Sequence, residues 1–295
     1  MMTKNRATLL GALAILLWST MVGLVRSVSE LLGPTGGAAM IYSVAAVMLC
    51  LTMGWPKIGR FPRRYLLLGS SLFVAYEVCI ALAIGHAGTA TQAIEVSIVN
   101  YLWPGLTVLF AILFNGQRAS LWIVPGLALS LFGVCYVQGG EHGLQWAGML
   151  ANIRLNPLSY ALALIGAVLW ASYCTVTSRM ANGQNGVPLF FVLTALTLWV
   201  KFLLGGETAP VFSAVAAGWV VLAAGALGAG YALWNVGILH GHVTLLAGFS
   251  YFTPILSALF AMTVLHSSLA PTFWPGALMV CGGSILSWWA TRQTA

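Results

Sequence analysis

Long apolar runs constrain this chain more than any other feature of its sequence. A helix rises about 1.5 Å per residue, so roughly 20 mainly apolar residues cross the hydrocarbon core of a bilayer. Runs such as "LLGALAILLW" and "WVVLAAGALGAG" stay apolar without the alternation that barrel strands show. Because helices satisfy their backbone hydrogen bonds inside lipid, we expect an all-α polytopic membrane protein.

The apolar runs predict ten transmembrane helices. They lie near residues 8–28, 34–54, 65–85, 91–114, 119–139, 157–178, 187–205, 213–236, 243–265 and 272–290. Hydrophobic residues make up 60% of the chain and charged residues only 6%, a balance that soluble domains do not have. The first run has full spanning length and lacks the pattern of a cleavable signal, so we expect it to remain as a span.

Charged residues are distributed unequally between the two sides of this ten-span arrangement. One side carries only basic residues: Lys4, Arg6, Lys57, Arg60, Arg63, Arg64, Arg118, Arg179 and Arg292. The other side is mixed, with Arg26, Glu30, Glu141, Arg154 and Glu207. The positive-inside rule therefore predicts that both termini are cytoplasmic. The net charge of +7 reflects this topology at the lipid surface, so no nucleic-acid partner is expected.

The chain also contains an internal repeat. "YLWPGLTVLFA" (101–111) aligns without gaps on "YFTPILSALFA" (251–261), and "PGLALSLFG" (125–133) aligns at the same offset on "PGALMVCGG" (275–283). Five spans per copy is an odd number, so the copies enter the membrane from opposite faces. Such inverted-topology repeats are typical of transporters with a site near the midplane. We expect a first five-helix repeat at 1–140, an external connecting loop at 141–156 and a second repeat at 157–295.

Matched prolines and a polar helix face indicate a candidate site. Pro104 and Pro254 fall near the middle of their predicted spans at equivalent repeat positions, where a missing N–H predicts helix kinks. Polar and aromatic residues share one face of the first of these helices: Ser97, Asn100, Tyr101 and Thr107, with Trp103 on the flank. This face is unfavourable towards lipid, so it lines either a cavity or a hydrogen-bonded helix contact.

Aromatic residues of other spans are further candidates for a cavity wall. Trp18 and Trp170 lie deep in spans that resemble each other, and Tyr76 and Tyr251 add two phenol rings. Similar side chains, some of them ordinary packing residues, are Tyr42, Tyr173, Tyr231, Trp234, Asn235 and Phe252. Planar rings with a few uncharged polar groups suit a planar or aromatic solute. No cofactor or metal is expected, because the five cysteines have no paired spacing.

Two carboxylates differ in their predicted positions. Glu77 lies about halfway along the third span, where an ionised side chain costs on the order of 2.5–3.5 kcal/mol. Its candidate roles are a proton carrier in energy coupling and a ligand for a substrate ammonium group. A carboxyl hydrogen-bonded between helices is the structural alternative. Glu95 lies nearer the external end and points away from Tyr101, so we expect a structural partner for it.

A membrane-embedded enzyme acting on lipid-like substrates is the alternative class of protein. Such an enzyme needs a catalytic constellation, but the sequence has no Asp, no HExxH or GxSxG motif and no clustered His at the cytoplasmic face. A channel is a weaker alternative, because no filter motif is present. The residues themselves predict a small-molecule carrier with an aromatic-lined site, not an enzyme.

The run "AIEVSIVNYLWPGLTVLFAILFNGQ" (93–117), the "YEVCIALAIG" segment before it and the duplicated layout resemble the drug/metabolite transporter (EamA) superfamily. Within it they resemble the YddG-type aromatic amino acid exporters. The resemblance implies a multi-pass carrier of the bacterial inner membrane that exports Phe, Tyr, Trp and related compounds by alternating access. It also implies a central cavity whose rings would be Tyr101, Trp103 and Trp170. Multidrug or planar-cation efflux within the same superfamily is the second interpretation.

Overall fold

The computed structural model describes residues 3–116, 118–138, 146–207, 211, 213–241, 246 and 249–292. In this part of the chain the regular elements are helices, and no strand occurs there. The helices are α1 (Lys4–Ser19), α2 (Met21–Leu32), α3 (Pro34–Met53), α4 (Arg63–Gly85), α5 (Ala90–Asn100), α6 (Trp103–Asn115), α7 (Ile123–Gln138), α8 (Trp146–Leu155), α9 (Pro157–Met180), α10 (Val187–Leu204), α11 (Ala214–His240), α12 (Thr253–Val264) and α13 (Phe273–Arg292), with a short 3₁₀ helix at Ile58–Arg60.

Seven helical stretches of the described chain are long and apolar enough to cross a bilayer. They are Lys4–Leu32, Pro34–Met53, Arg63–Gly85, Ala90–Asn115, Pro157–Met180, Val187–Leu204 and Ala214–Gly237. Two shorter apolar helices, α7 and α12, lie within the predicted fifth and ninth spans. The start of that ninth span, at 243–245 and 247–248, lies outside the described residues. The protein is therefore an all-helical polytopic membrane protein.

Several helices begin where local sequence signals favour a helix start. Pro34, Pro157 and Pro188 occupy the first turn of α3, α9 and α10, where a missing N–H costs little. The Thr89 hydroxyl accepts the Gln92 N–H at 3.0 Å and so caps α5. The expected connection at 141–156 contains the helix α8, while its residues 141–145 lie outside the described residues.

The described helices form two compact units, each made from both halves of the chain. Unit 1 comprises Met1–Arg60 and Asn185–His266, and unit 2 comprises Phe61–Gln184 and Ser267–Ala295. Unit 1 therefore contains α1, α2, α3, α10, α11 and α12, whereas unit 2 contains α4 to α9 and α13. Sequence halves and compact units are thus different divisions of this chain.

Glycines allow helices to pack closely in both units. In unit 1, a Cβ added at Gly237 on α11 would lie 2.7 Å from Gly11 Cα on α1. In unit 2, a Cβ at Gly133 on α7 would lie 2.6 Å from the Gly276 carbonyl oxygen on α13, and one at Gly126 would lie 3.0 Å from the Gly283 carbonyl oxygen. Going along α7 from Gly126 to Gly133, the contacted residue on α13 moves backwards from Gly283 to Gly276, so α7 and α13 run antiparallel. Small residues permit this backbone contact within a membrane.

Candidate functional site

The predicted fourth span is interrupted at residues 101–102. The Tyr101 N–H bonds to the carbonyls of Ser97 at 3.2 Å and Ile98 at 3.1 Å, and the Leu102 N–H bonds to Val99 at 3.2 Å. Pro104 stands in the first turn of α6 and has no N–H to offer the Asn100 carbonyl four residues earlier. The prediction of a kink inside one continuous helix is therefore corrected to a break between two helices.

A second break lies in unit 1, before α12. The Phe252 N–H bonds to the Phe249 carbonyl at 3.1 Å, and Pro254 stands in the first turn of the new helix. Pro254 has no N–H to donate to the carbonyl of Ser250, four residues before it. The Thr253 hydroxyl donates to this carbonyl instead, at 2.6 Å. Trp103, at the equivalent position of the first repeat copy, has no hydroxyl and cannot cap in this way.

Five rings form a cluster in unit 2, called here the unit 2 ring cluster: Phe73, Tyr76, Trp103, Trp170 and Tyr173. The ring centroid of Trp170 lies 4.6 Å from Tyr76, 5.2 Å from Tyr173, 6.1 Å from Trp103 and 6.2 Å from Phe73. Phe73 and Tyr173 are buried, whereas Tyr76, Trp103 and Trp170 are only half-buried. The half-buried rings leave aromatic surface accessible to a ligand.

Asn100 is the polar residue at the edge of this cluster. It is the last residue of α5 and only 6% exposed. Its side-chain amide is near the Tyr76 hydroxyl, while its Oδ1 has no hydrogen-bond partner among the residues that the structure describes. Gly166 on α9 packs closely against it, since a Cβ at that position would lie only 3.3 Å from Asn100 Oδ1.

Glu77 and Tyr101 also lie in unit 2. Glu77 is 3% exposed and near enough to Tyr76, its neighbour on α4, for an electrostatic interaction. Tyr101 lies in the turn between α5 and α6 and is half-buried. The structure thus places Tyr76, Glu77, Asn100, Tyr101, Trp103, Pro104 and Trp170 of the predicted site in one compact unit.

The remaining predicted residues, Trp18, Tyr251 and Pro254, belong to unit 1. The Trp18 ring lies 5.1 Å from Tyr231 and 5.3 Å from Trp234. We call Trp18, Tyr231 and Trp234 the unit 1 ring cluster; Phe191 extends it, 5.0 Å from Tyr231. Trp18 Nε1 is buried without a hydrogen-bond partner in the described part of the chain. Tyr251 is buried, so it offers less surface than the half-buried Trp18.

Two hydroxyls of the predicted polar face are already satisfied by their own helices. Ser97 Oγ donates to the Ile94 carbonyl at 2.6 Å, and Thr107 Oγ1 donates to the Trp103 carbonyl at 2.7 Å. Such back-bonding is the usual arrangement of hydroxyls inside helices. The face that the sequence predicts therefore reduces to Asn100 and the rings.

Glu95 has the structural partner that the sequence predicts. Asn152 Nδ2 on α8 donates to Glu95 Oε2 at 3.0 Å, and Gln138 Nε2 donates to the Glu95 backbone carbonyl at 3.0 Å. Nearby, Asn156 Nδ2 donates to Gln92 Oε1 at 3.1 Å. Sequence reasoning missed these amide partners, as it missed Gly166, because no local pattern joins residues so far apart in the chain.

Membrane-spanning helices that break beside a half-buried, ring-lined surface with uncharged polar groups define a membrane transport protein for small molecules. Two relatives are each 56% identical over 292 residues, covering 99% of this chain and 100% of the relative: the aromatic amino acid exporter YddG of Salmonella typhimurium (strain 14028s / SGSC 2262) and that of Escherichia coli (strain K12). The chain belongs to the YddG family of aromatic amino acid exporters.

More distant comparisons agree along the whole chain. The aromatic amino acid exporter YddG of Ancylobacter novellus is 29% identical over 304 residues, covering 99% of this chain and 100% of the relative. A solved crystal structure of a protein has a TM-score of 0.67 and 26% identity, covering 97% of this chain and 99% of that one. No family model matches the chain.

Proposed function

We propose that this protein exports aromatic amino acids and related small planar solutes from the cytoplasm across a bacterial inner membrane, by alternating access. The unit 2 ring cluster carries this proposal, because three half-buried rings lie together with a buried neutral amide, Asn100, at their edge. The names of the relatives support aromatic amino acids as the substrates.

The ring geometry suits an aromatic side chain. The planes of Trp103 and Trp170 meet at 79° and those of Tyr76 and Trp170 at 42°, so the rings present both faces and edges. An aromatic ligand makes edge-to-face or offset contacts with such rings, each worth about 0.5–1.5 kcal/mol beyond area burial. We assign substrate binding to Tyr76, Asn100, Tyr101, Trp103 and Trp170 in unit 2, and to Trp18 and Tyr251 in unit 1.

The proposed architecture has ten spans arranged as two inverted five-helix repeats, 1–140 and 157–295. The contacts of α7 and α13 support it, because Gly126 meets Gly283 while Gly133 meets Gly276. In the sequence alignment Gly126 is equivalent to Gly276, and Gly133 is equivalent to Gly283. Each glycine therefore contacts the equivalent of the other, which is the pattern of a contact across a two-fold axis. Equivalent helices that pack antiparallel cross a membrane in opposite directions.

Orientation is proposed from the exposed basic segment around Lys57 to Arg64, which puts both termini in the cytoplasm. A membrane-impermeant maleimide applied to intact cells tests it on Gly59→Cys, with Leu155→Cys in the expected external connection as the matched position. Labelling of Leu155→Cys alone agrees with the proposal. Labelling of Gly59→Cys in intact cells contradicts the orientation and leaves the binding site unaffected.

The transport proposal is tested by flux into proteoliposomes that contain the purified full-length chain. A carrier gives saturable phenylalanine uptake that accelerates when unlabelled phenylalanine is present on the opposite side. A non-saturating flux identifies a channel, and a chemically changed product identifies an enzyme. A panel of amino acids and planar cations decides the substrate class, since preference for the cations would favour multidrug efflux.

Glu77 is proposed to couple export to the proton gradient. The burial of this carboxyl next to Tyr76 supports the proposal, because ionisable residues within membranes often belong to proton relays. The alternatives, a ligand for the substrate ammonium group and a structural carboxyl, give different outcomes in the Glu77→Gln experiment described below.

A further inference from the structure

We infer that Asn100 Oδ1 accepts a hydrogen bond from the α-ammonium group of the substrate, and that Gly166, whose backbone packs against this oxygen, is a positioning residue for the Asn100 amide. The inference rests on the proposed function, since it names the substrate group that the same site recognises. In this inference an uncharged amide, and not a carboxylate, binds the ammonium group of the substrate.

The evidence begins with the buried amide. Asn100 is 6% exposed, and its side chain is near the Tyr76 hydroxyl. Its amide oxygen, Oδ1, has no hydrogen-bond partner among the described residues. A buried acceptor left unpaired costs about 1–3 kcal/mol, so an unpaired amide oxygen at a ligand-facing cluster indicates a missing donor.

The chemistry of this oxygen decides which substrate group it binds. An amide oxygen is only an acceptor, whereas a substrate carboxylate also offers only acceptors, so the two cannot pair. The ammonium group offers three donors and is shared by phenylalanine, tyrosine and tryptophan, while a ring donor is absent from phenylalanine. The common donor for Asn100 Oδ1 is therefore the ammonium group.

The helix break adds acceptors at the same place. Asn100 ends α5, where backbone carbonyls carry the partial negative charge of the helix C-terminus, and Pro104 cannot donate to the Asn100 carbonyl. In the second repeat copy the equivalent Ser250 carbonyl is occupied by the Thr253 hydroxyl. At the first break Trp103 has no hydroxyl that could replace the missing donor to the Asn100 carbonyl, whereas the second break is capped within its own chain.

Gly166 is the position whose backbone packs against this oxygen. An alanine Cβ would lie 3.3 Å from Asn100 Oδ1, 3.7 Å from Cys79 Cβ and 3.8 Å from Tyr76 Cδ2. A methyl group at the first of these distances is in tight contact, so the Asn100 side chain has to shift to accommodate it. Gly166 is thus expected to act through Asn100 and not on the rings.

The test measures inhibition of labelled phenylalanine counterflow in proteoliposomes of the full-length chain. The inhibitors are phenylalanine, 3-phenylpropionate, which lacks the ammonium group, and 2-phenylethylamine, which lacks the carboxylate. In the wild type, phenylpropionate should bind at least tenfold more weakly than phenylalanine, the lower limit of what a hydrogen bond to a charged group supplies. Asn100→Leu should reduce this ratio to below threefold while phenylpropionate itself changes little.

Further variants keep the result interpretable. If Asn100→Leu does not reach the membrane, Asn100→Ser should give an intermediate ratio. Gly166→Ala should lower the ratio as Asn100→Leu does, whereas Gly225→Ala on α11, which meets no atom within 4 Å, should leave it unchanged. These outcomes support the inference.

Other outcomes overturn it. An Asn100→Leu protein that loses affinity equally for all three inhibitors shows that Asn100 only packs. A ratio that collapses in Glu77→Gln and persists in Asn100→Leu assigns the ammonium group to the carboxylate. If the wild-type protein shows no saturable phenylalanine exchange, the proposed function itself is refuted. If exchange is saturable but Asn100→Leu has the same ratio of phenylalanine to phenylpropionate affinity as the wild type, only the role of Asn100 is refuted.

Discussion

The two compact units contain equivalent ring pairs in different chemical surroundings. In unit 1, Trp18 of α1 lies 5.1 Å from Tyr231 of α11, and in unit 2, Trp170 of α9 lies 4.6 Å from Tyr76 of α4. Each pair joins a helix from one half of the chain to a helix from the other. The scaffold of tryptophan against tyrosine is therefore present twice.

The surroundings differ at three points. Glu77 follows Tyr76 in the chain, whereas Ala232 follows Tyr231. The break in unit 2 is flanked by Asn100 and Trp103, whereas the break in unit 1 has a hydroxyl cap. At the two ring clusters, a buried atom without a hydrogen-bond partner among the described residues is an acceptor in unit 2, Asn100 Oδ1, and a donor in unit 1, Trp18 Nε1. The comparison teaches that similar tryptophan–tyrosine pairs have different polar neighbours. The acceptor side chains Glu77 and Asn100 lie in unit 2.

Removing the central ring of unit 2 should have the largest effect. Trp170→Ala removes the ring that contacts the other four of the cluster, so we expect the transport efficiency for phenylalanine to fall by about tenfold, the value of one or two aromatic contacts with the substrate at about 0.5–1.5 kcal/mol each. Trp103→Ala and Tyr101→Ala should act in the same direction. Proteoliposome flux and the amount of folded protein in the membrane are measured together.

Two controls sharpen this prediction. Trp122→Ala removes an exposed ring that pairs with Trp289 at 6.2 Å, and it should change flux by less than about twofold because surface substitutions usually have small effects. Trp18→Ala tests whether the unit 1 ring cluster contributes equally. If flux and membrane abundance fall in parallel in Trp170→Ala, the unit 2 ring cluster is only a packing core.

The difference between Glu77 and Ala232 predicts the second effect. Glu77→Gln keeps the shape but cannot exchange a proton, so net export should become insensitive to an imposed pH gradient while labelled-for-unlabelled exchange continues. Glu95→Gln is the matched control, because the Asn152 amide can still donate to a glutamine oxygen. A wild-type flux that ignores the pH gradient would refute the coupling role of Glu77.

Helix packing in the two units can be compared by adding one methyl group to each. Gly133→Ala in unit 2 and Gly237→Ala in unit 1 both place a Cβ within 3 Å of backbone atoms, so each should destabilise the protein by about 1–3 kcal/mol. Both purified variants should have a lower melting temperature in detergent than the wild type, while Gly225→Ala should have the same melting temperature as the wild type. Unchanged melting of Gly133→Ala would show that α7 and α13 separate at little cost.

The capped break of unit 1 gives the smallest predicted effect. Thr253→Val preserves the side-chain shape and removes the hydroxyl that donates to the Ser250 carbonyl at 2.6 Å. We expect a loss of stability of about 1 kcal/mol, the net value of one hydrogen bond, with no change in phenylalanine affinity. A loss of affinity without a loss of stability would place Thr253 in the binding surface.

Much of this molecule follows from local sequence. Apolar length and the scarcity of charge predict the spanning helices, because lipid imposes the same requirement on each segment independently. The position of Pro104 predicts a kink of the fourth span, whereas the structure has a break with its own turn, which depends on the bonds that Tyr101 and Leu102 make. The structure brings the rings of Trp103 and Trp170 to 6.1 Å and places Asn100 in the same unit, whereas the role of each residue stays a prediction.

Only the tertiary structure decides which helices pack together. Helical periodicity places a residue on a face but does not say which helix covers that face, so the sequence did not divide the predicted site between two units or pair Trp18 with Tyr231. Gly166 carries no side-chain signal, and its importance arises because Asn100, on a different helix, fills the space that a Cβ would occupy. The sequence alone determined the membrane class, the long apolar helices and the family, since these depend on composition and order. Contacts between distant helices set the geometry of the site.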